Sequence, residues 1–598
     1  MKIEQACPRL GLLLLGLVAM FGVACGGGGS SMTTGAITVS VSPMAAAVGT
    51  GQSTKFTVTT NDTSGVTWSA SAGTIDSSGN YVAPAGTQAA TVTVTVTSKQ
   101  DSTKSATATV NVVPPGTLTS TPNGQVALYT VSAAAAGNVS AEFGLDTTYG
   151  LTTWTQPVPQ GGGAVSLFVA GMKPNATYHI RGLVNFADGS TFQDADLTFS
   201  SVGLPAAVLP NVSTTTFAGM TPQSGVELLD MILGPVGVAP VAVTDLEGNI
   251  LWSYNPGFAP NIIPHPIKLL SNGHFLINFA QQTGATSVMQ EVDLGGNVIS
   301  QFTAADLNSG LATFCSTSPL CPAGGLTVLG THHDFISMDN GHLIVLASEQ
   351  RVISGTTVTG DVIIDLDQNR KPVWLWDEFD HLDTNRQPYL FPDWTHSNAL
   401  LYSKDDHNLI VSIRHQNWLV KVDYNDGAGT GDILWKLGYQ GDFTLLNSDG
   451  STDNHPEDWF FAQHGPSFVS SNTTGAFSLI LFDNGDDRGY AIAPGTTCGT
   501  DPTCYSTVPM FDIDENAKTA KFTFHPNAYD YSFFGGNAAV LKNGNVEYCE
   551  SAGGPGTAGD IYEVTQSATS EKVWKLSLAN QDAYRGQRIP SLYPGVQW

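Results

Sequence analysis

Hydrophobic and polar positions alternate with a period of two over much of this chain. Between residues 33 and 113, short alternating runs such as KFTVTTN and ATVTVTVTS are separated by turn residues. Successive side chains of a β-strand point to opposite faces, so this alternation is typical of half-buried strands in a sandwich. No helical period persists beyond residue 25. The sequence therefore predicts an all-β protein.

Two strand-rich segments precede residue 203. Residues 33–113 resemble a bacterial immunoglobulin-like domain, and residues 114–202 begin at the Pro114-Pro115 pair. The segment GMKPNATYHIRGLV in the second resembles the fibronectin type III pattern, in which Pro174, Thr177 and Tyr178 form the corner before a late strand. We predict two β-sandwich domains here and interpret them as spacers.

Residues 203–598 contain two recurring elements. The first is a strand, an acidic residue, a turn and a second strand, found six times: 244–252, 292–302, 364–374, 422–435, 511–522 and 562–574. The second is a strand, an Asn-Gly or equivalent turn and another strand, starting at His265, His332, Thr395, Gln463 and Gly535. A period of roughly 40 to 60 residues of strands is typical of β-propellers, so six copies predict six blades.

The N-terminus has the features of an export signal. Lys2 and Arg9 precede an apolar run from Leu10 to Ala24, which is too short to span a bilayer stably. Residues 1–25 resemble a lipoprotein signal that places a lipid anchor on Cys25, followed by a Gly/Ser tether at 26–32; ordinary signal-peptidase cleavage is the alternative. We predict an exported lipoprotein, periplasmic or at the outer membrane or cell surface, that touches the membrane through its anchor only.

Five cysteines remain beyond the signal. Cys315 and Cys321 have the same spacing as Cys498 and Cys504, and both pairs lie in Ser/Thr/Pro/Gly-rich loops. This pattern suits two local disulfides in an oxidising compartment and lacks the close spacing of zinc sites. Cys549 is left over, and we expect it to be buried.

Net charge excludes one class of partner. The chain carries 24 Lys+Arg and 51 Asp+Glu, a net charge of -27, and has no basic run. Such a surface repels phosphate backbones, so nucleic acid is excluded as a partner. The sequence leaves open whether the chain is a monomer or a homodimer.

Four histidines recur at equivalent positions of the second element. His265, His333, His396 and His464 each stand at its first or second position. The first strand of each propeller blade lines the central channel, so these imidazoles are expected to converge. Apolar residues would fill a channel without the desolvation cost of imidazoles, which favours a shared functional site over packing. The remaining histidines, including His332, His342, His274, His407 and His415, are interpreted as surface or supporting residues.

Two further polar residues accompany His396. Asn398 lies two residues along the same strand and faces the same side, while Arg414 closes the same hairpin. Neutral imidazoles, an amide and a guanidinium together make a site for a tetrahedral oxyanion. The alternative for Arg414 is a salt bridge with Asp423 or Asp393.

Five segments in this order resemble the bacterial arylsulfate sulfotransferase family: THHDF (331–335), DWTHSNALLY (393–402), SIRHQNWLVKVD (412–423), QHGPSF (463–468) and LFDNGDDRG (481–489). The resemblance spans residues 225–598. It implies a six-bladed propeller after an N-terminal sandwich, with no cofactor. It also implies transfer of a sulfuryl group from a small aryl sulfate donor to a phenolic acceptor without a nucleotide donor.

The resemblance also implies roles for individual residues. His464 matches the nucleophile that is transiently sulfated, His396 and Asn398 match an HxN pair, and Arg414 matches the sulfate-binding arginine. His333 matches the remaining active-site histidine, with its neighbour His332 as an alternative. A threonine of the family near the last blade has no clear match in SFFGGNAAV after Tyr531.

These residues fit a ping-pong reaction. Neutral His464 would attack sulfur, and Arg414, Asn398 and His333 would bind the sulfuryl oxygens. His396 would give a proton to the departing phenolate and take one from the incoming phenol. Trp394, Trp418 and Phe391 are candidates for stacking on the aryl ring, with propeller packing as the alternative.

Two other functions are alternatives to sulfuryl transfer. Histidine clusters bind metals and propellers hold quinone cofactors, but this cluster has no obvious carboxylate partner in its motifs and includes an arginine that would repel a cation. Sandwich spacers and a propeller also describe a non-catalytic surface binding protein.

Overall fold

The structure is a computed structural model that describes residues 35–598, except 233, 260, 282–286, 487, 493–503, 527–528, 530, 552–558, 568 and 580. The predicted signal peptide, the tether to residue 32 and Cys25 lie outside the described residues. Strands make up 51% of the structure and helices 6%, which confirms the prediction of an all-β chain. Within the described part, no helix is long and apolar enough to cross a membrane.

The first strand-rich unit holds nine short strands: β1 (Val39–Ser42), β2 (Ala45–Gly49), β3 (Ser53–Lys55), β4 (Thr57–Thr60), β5 (Val66–Ala70), β6 (Thr74–Ile75), β7 (Asn80–Val82), β8 (Ala90–Ser98) and β9 (Ser105–Val113). They form a sheet of order β2-β9-β8-β5, a pair β1-β4 and a sheet β3-β7-β6. Val92, Val94 and Val96 of β8 are buried while the threonines between them are not, as the alternating sequence predicts.

The second unit contains another nine strands: β10 (Thr117–Ser120), β11 (Ala127–Ala133), β12 (Gly137–Gly144), β13 (Leu151–Thr152), β14 (Gln156–Pro157), β15 (Gly163–Val169), β16 (Thr177–Phe186), β17 (Thr191–Gln193) and β18 (Leu197–Ser200). Its sheets have the orders β10-β11-β15 and β13-β12-β16-β17, with β14 on β12 and β18 on β16. The buried Tyr178 hydroxyl accepts a hydrogen bond from the backbone N–H of Lys173 at 3.0 Å, as expected of a corner tyrosine.

The remaining strands, in chain order, are β19 (Asn211–Thr216), β20 (Val226–Ile232), β21 (Val241–Thr244), β22 (Ile250–Tyr254), β23 (Ile262–Leu269), β24 (Phe275–Gln281), β25 (Ser287–Val292), β26 (Val298–Thr303), β27 (Val328–Ser337), β28 (Leu343–Ile353), β29 (Thr356–Leu366), β30 (Pro372–Asp377), β31 (Ser397–Ser403), β32 (Asn408–Ile413), β33 (Trp418–Val422), β34 (Ile433–Gly438), β35 (Thr444–Leu446), β36 (His464–Thr473), β37 (Ala476–Phe482), β38 (Met510–Asp514), β39 (Thr519–Phe524), β40 (Asn537–Val540), β41 (Val546–Glu550), β42 (Gly559–Val564), β43 (Lys572–Ala579) and β44 (Asp582–Ile589).

These strands form six sheets of four or five strands in the described residues. Their orders are β22-β21-β20-β44, β23-β24-β25-β26, β27-β28-β29-β30, β31-β32-β33-β34, β35-β39-β38-β37-β36 and β19-β43-β42-β41-β40. The C-terminal strand β44 pairs with β20, and β19 pairs with β43, so residues far apart in sequence complete the first and last sheets. All six copies of the first repeat form antiparallel hairpins between neighbouring strands of one sheet.

One edge strand of each sheet contacts the edge strands of the neighbouring sheets. These six edge strands are β44, β23, β27, β31, β36 and β40. Between β40 and β44, Asn537 Nδ2 donates to the Gly586 carbonyl at 2.8 Å and Gly586 N–H donates to Asn537 Oδ1 at 3.1 Å. Residues on these strands can therefore meet, although they are separated by whole repeats.

Tryptophans at or just after the end of the first repeat join neighbouring sheets; in the third copy the bridging residue is Trp376, two residues after Trp374. In four sheets a buried indole N–H near the end of the hairpin donates to the turn of the next sheet's hairpin at 2.8 to 2.9 Å. The pairs are Trp252 with the Leu294 carbonyl, Trp376 with the Gly431 carbonyl, Trp435 with the Glu515 carboxylate and Trp574 with the Leu246 carbonyl. Each ring fills the space between sheets while its one donor is satisfied.

Helices are few and short: α1 (Ala304–Phe314), α2 (Glu378–His381) and α3 (Arg488–Ile492), with 3₁₀ turns at Ala206–Val208, Arg414–Gln416, Asn425–Gly427 and Pro456–Asp458. A capping box starts α1, because Thr303 accepts from Asp306 N–H and Asp306 accepts from Thr303 N–H. The predicted Cys315–Cys321 disulfide follows α1.

The other cysteine predictions are partly covered. Cys504 is disulfide-bonded, whereas Cys498, its predicted partner, lies outside the described residues. Cys549 is free and buried, as predicted, and burial raises the pKa of its thiol well above the usual value.

The C-terminal residues join the second unit to the six sheets. The Tyr593 hydroxyl donates to the Phe168 carbonyl at 2.7 Å and accepts from Ala170 N–H at 2.7 Å. The Trp598 ring packs edge-on against Phe143 in the core of the second unit.

Candidate active site

The four recurring histidines lie where the edge strands are irregular. Register shifts interrupt the pairing of β23, β27, β31 and β36 within a few residues of His265, His333, His396 and His464 respectively. A β-bulge bends a strand and re-aims its side chains, which is why bulges are frequent next to active sites. His333 and His396 have φ angles of 53° and 50°, a left-handed conformation that non-glycine residues adopt rarely and often at functional sites.

The bulge after His464 requires glycine. Gly465 has a φ of 45°, and a Cβ on it would lie 2.4 Å from the Cβ of Asn537 on the neighbouring edge strand. A side chain at this position would push β36 away from β40 and move His464 with it.

Ring contacts join these histidines into one cluster. The centroid of His333 lies 5.0 Å from that of His265 and 4.8 Å from that of His396. Tyr584 of β44 closes the group, with its ring 4.5 Å from His265 and 6.1 Å from His464. The structure therefore brings the four predicted histidines together, with a tyrosine that sequence reasoning did not identify.

His464 is buried, and its ring is fixed by one amide. Its Nδ1 lies 2.7 Å from Oδ1 of Asn484, which is also fully buried. Burial lowers the pKa of His464 well below its ordinary value, and the nearby charge of Arg414 lowers it further. The imidazole is therefore neutral at physiological pH.

His396 is paired with a carboxylate instead. Its Nδ1 lies 2.7 Å from Oδ2 of Asp393, and both side chains are partly exposed. Burial alone would raise the pKa of Asp393, but His396, Arg414 and His332 together outweigh it, and the pKa is lowered. This dyad corrects the expectation that the cluster has no carboxylate partner: Asp393 stands three residues before His396 in the same motif.

His333 is backed by a buried chain of polar groups. Its Nδ1 lies 2.7 Å from Nδ1 of His332, whose Nε2 lies 2.9 Å from the Asp361 carboxylate. Asp361 also accepts from the Thr395 hydroxyl at 2.9 Å and from Ser397 N–H at 2.6 Å. His332, the alternative to His333 in the sequence, is thus a supporting residue. Burial lowers the pKa of His333 well below its ordinary value.

Arg414 is buried beside the histidines and held on two sides. One Nη2 donates to the Asp486 carboxylate at 2.6 Å and to the Phe533 carbonyl at 2.8 Å. Its Nη1 lies 2.6 Å from Nε2 of His415, while Nε is buried without a hydrogen-bond partner. The ion pair is therefore with Asp486, and neither Asp423 nor Asp393, the partners considered from the sequence, takes that role.

Asp486 is the anchor for Arg414 and for two tyrosines. Tyr389 and Tyr531 donate their hydroxyls to it at 3.2 Å and 2.8 Å. Burial raises the pKa of Asp486 to about 6, and the charge of Arg414 opposes that shift. Tyr531 is 40% exposed.

Asn398 is fully buried and keeps unused hydrogen-bonding capacity. Its Nδ2 donates to the Gln463 carbonyl at 2.7 Å, and its Oδ1 has no partner. The backbone carbonyl of Asn398 accepts from Arg585 Nη2 at 2.9 Å. Asn398 thus ties the residue before His464 to the last strand.

A second layer of charge lies beneath the histidines. Lys268 Nζ lies 2.6 Å from Asp334 and Arg585 Nη1 lies 3.4 Å from it. These residues face a cavity of about 240 Å³ lined by residues of β20 and of all six edge strands, Asp230 and Asn537 among them. Burial raises the pKa of Asp230 to about 7, with Arg585 opposing the shift. Sequence reasoning missed Arg585 because its place depends on the pairing of β44 with β20.

The group formed by the Asp393 carboxylate and the imidazoles of His396 and His415 does not fit a metal ion. One ligand atom each of Asp393, His396 and His415 lies within 4.8 Å of the others. However, Nδ1 of His415 contacts the Asp393 backbone carbonyl at 2.7 Å, and Nε2 contacts the Arg414 guanidinium. Both ring nitrogens are thus engaged, and the adjacent cation would repel a metal.

The candidate stacking aromatics divide into two kinds. Trp394 is buried against Phe379, and Trp418 is buried under the Arg386 guanidinium at 3.8 Å, so both are packing residues. Phe391 is 42% exposed and follows Tyr389 in the same loop. Of the three, only Phe391 is accessible to a ligand.

The profile of the family described as arylsulfotransferase (ASST) matches residues 238–585. This span is more than half of the chain, and it contains the cluster from His265 to Arg585. The chain belongs to the arylsulfotransferase family. Membership supports aryl sulfotransferase activity in general.

Similar solved structures add no functional information about this family member. A putative 6-phosphogluconolactonase from Bacteroides uniformis is 8% identical, covers 62% of this chain and 100% of its own, and has a TM-score of 0.33. A quinoprotein alcohol dehydrogenase-like protein from Bacteroides thetaiotaomicron is 9% identical, covers 91% and 96%, and has a TM-score of 0.28. No curated protein matches the chain.

Proposed function

We propose that the chain moves a sulfuryl group from an aryl sulfate to a phenol in two steps, through a sulfated His464, without a nucleotide donor. The observation that carries the proposal is the meeting of neutral, buried His464 with Arg414 and two further histidines within the span that the family profile matches. Neutral imidazole is the nucleophilic form of histidine.

In the first step, the Nε2 lone pair of His464 forms a bond to sulfur. The bond from sulfur to the aryl oxygen breaks, and its electron pair leaves with that oxygen as a phenolate. In the second step, the oxygen of another phenol attacks the same sulfur, and the N–S bond returns its electrons to Nε2. The group is exchanged between two oxygens, so no water is consumed.

The sulfuryl oxygens carry the charge that spreads in the transition state, and fixed donors stabilise it. Arg414 supplies the buried Nε–H that has no partner in the protein. Asn398 has a second Nδ2 hydrogen beyond the one given to Gln463. His333 is partly exposed and stands beside His396.

The proton is handled by His396. Its Nδ1 is engaged by Asp393 at 2.7 Å, which leaves Nε2 to give a proton to the departing phenolate and to take one from the incoming phenol. An ionised carboxylate stabilises the imidazolium formed in the second step.

We further propose that residues 203–598 are a six-bladed β-propeller whose axis carries the site. The sheet order, the contacts between edge strands and the shared cavity support that interpretation. Residues 33–113 and 114–202 are proposed as immunoglobulin-like and fibronectin III-like sandwich spacers.

The chain is proposed to work outside the cytoplasm as a lipoprotein anchored through Cys25. The Cys315–Cys321 disulfide supports an oxidising compartment.

The test is a reaction with a chromogenic aryl sulfate, with and without added phenol, using wild type and His464→Asn. We expect phenol to accelerate chromophore release, a sulfated phenol to form, and the variant to be inactive. Release that does not depend on phenol identifies a hydrolase. Equal activity of wild type and His464→Asn contradicts His464 as the nucleophile.

A further inference from the structure

The side-chain amide of Asn484 can adopt only one orientation. Its nitrogen Nδ2 contacts the backbone carbonyls of Ser532 at 2.8 Å and Gly535 at 3.2 Å. Carbonyl oxygens only accept hydrogen bonds, so Nδ2 must face them, and the amide oxygen Oδ1 must face His464. The loop is itself held, because the Ser506 hydroxyl donates to the Asn484 carbonyl at 2.9 Å and accepts from Ser532 N–H at 2.9 Å.

This orientation decides the tautomer of His464. Oδ1 of Asn484 is an acceptor without a hydrogen, so Nδ1 of His464, 2.7 Å away, carries the proton. In a neutral ring the other nitrogen, Nε2, then has the free lone pair. A histidine without this partner distributes its proton over both nitrogens and presents a nucleophilic Nε2 only part of the time.

The neutrality of the amide also matters. A carboxylate beside an imidazole favours the protonated ring, whereas an amide adds no charge. Groups that face His464 include Arg414, His396, His333, Tyr584 and Arg585, coming from the turn after β32, the bulges of β31 and β27, and β44. None of these five is a carboxylate, and two are permanent cations that disfavour a second positive charge. Asp486, two residues after Asn484 in the same loop, is ion-paired with Arg414.

We propose that Asn484 is the positioning residue of the sulfuryl-transfer nucleophile: it holds His464 with the proton on Nδ1 and, being uncharged, leaves Nε2 unprotonated and aimed at sulfur. The proposal rests on the sulfotransferase function proposed above. Two histidines of one site thus have different partners: the nucleophile His464 is held by an amide, and the proton-transfer residue His396 is held by the carboxylate of Asp393.

The same contact serves the second step. When Nε2 has bonded to sulfur, both ring nitrogens are substituted and the ring is cationic as long as Nδ1 keeps its hydrogen. The amide oxygen accepts that hydrogen without neutralising the ring. A cationic imidazole leaves sulfur readily when a phenol attacks, because the N–S electron pair then restores a neutral ring. A carboxylate would stabilise the cationic intermediate and slow its discharge.

The experiment compares Asn484→Asp, Asn484→Leu and wild type in kcat/KM over a range of pH, with thermal melting as the check on folding. Asn484→Asp adds a charge beside His464, so the acidic limb of the profile should move up by about one pH unit or more; kcat/KM for the aryl sulfate, which reports the first step only, should recover at high pH. Asn484→Leu removes the acceptor, and a loss of about 10- to 100-fold is expected, by analogy with partners that orient metal-binding histidines.

The matched control is Asn516→Asp, the same change in the turn between β38 and β39, where Asn516 is exposed and donates to the Thr474 carbonyl at 3.0 Å. Its pH profile should equal that of wild type. An unshifted acidic limb in folded Asn484→Asp, or wild-type kcat/KM in folded Asn484→Leu, overturns the proposal.

A second measurement does not depend on turnover. Nitrogen-15 spectra of histidine-labelled wild-type protein should show His464 as a neutral ring protonated on Nδ1, and Asn484→Leu should lose that state. A wild-type His464 protonated on Nε2, or cationic at neutral pH, contradicts the proposal even when transfer is observed. If the tautomer is as stated and wild type transfers no sulfuryl group, the proposed function fails and the positioning contact stands.

Discussion

Replacing Arg414 by lysine keeps the positive charge but removes the planar arrangement of hydrogen-bond donors. A guanidinium has five N–H donors in a fixed plane. In Arg414, both Nη2 hydrogens are used by Asp486 and Phe533 and one Nη1 hydrogen by His415, so the buried Nε–H and the second Nη1 hydrogen are left for the sulfuryl group. An ammonium has its three donors on one atom and cannot reproduce the planar fork that places separate donors on Asp486, His415 and a sulfuryl oxygen.

The loss should appear mainly in the chemical step. Removing one preorganised donor to developing oxyanion charge lowers kcat by about 10²- to 10³-fold, or about 3 to 4 kcal/mol. We therefore expect Arg414→Lys to lower kcat by that factor while KM for the aryl sulfate changes less, since the charge that attracts the sulfate remains. Steady-state kinetics with saturating phenol measures both constants.

Arg370→Lys is the control. Arg370 lies in the turn before β30 and donates to the Gly341 carbonyl at 3.2 Å, outside the cluster. The control variant should behave as wild type, and both variants should melt near the wild-type temperature. If folded Arg414→Lys retains the wild-type kcat, Arg414 does not bind the transition-state oxygens and the argument from its free donor is refuted.

Three further predictions test separate parts of the structure. Asp393→Asn should lower kcat by about 10- to 100-fold, with a larger loss for donors whose phenols are poor leaving groups; equal losses across a series of donors would contradict acid catalysis by His396. His265→Phe removes a histidine whose pKa burial lowers to about 3. When the pH falls from about 6.5 to about 5.5, only the unfolded wild-type chain binds a proton at this residue, so the unfolding free energy of wild type should fall by about 1 kcal/mol more than that of the variant. An equal change in the unfolding free energy of both proteins would refute this. Cys315→Ala with Cys321→Ala should lower the unfolding free energy by about 2 kcal/mol through the freed loop, and unchanged stability in urea denaturation would show that the bridge contributes nothing.

Much of the six-sheet architecture was readable from the sequence because its signals are local. Each copy of the acidic-turn repeat sits in one hairpin, and the recurring histidines mark the start of the edge strands from which the cluster is built. Equivalent residues of a repeat are separated by whole repeat units, so histidines that recur at one position of the repeat predict a shared site.

The site residues that the sequence did not predict depend on contacts that no local pattern encodes. Tyr584 and Arg585 reach the cluster only because the last strand, β44, pairs with β20. In this pairing Arg585 N–H donates to Asp230, which lies 355 residues earlier in the sequence. Asn484 follows the strand partner of His464, and its role is visible only when the Ser532 and Gly535 carbonyls fix its amide. From the sequence, Asp393 was considered as a partner of Arg414 and not of His396, because sequence distance does not show which of two nearby basic residues a carboxylate contacts.

The central claim is a covalent sulfuryl group on His464, and mass analysis of the protein tests it most directly. The purified chain is mixed with an aryl sulfate in the absence of phenol, quenched at alkaline pH and digested. We expect one added SO₃ group on the peptide that contains His464, its loss on brief exposure to phenol with formation of the sulfated phenol, and no adduct in His464→Asn. Rapid transfer to phenol with no adduct on wild type at any time, or an adduct on another residue that phenol discharges, would contradict the account.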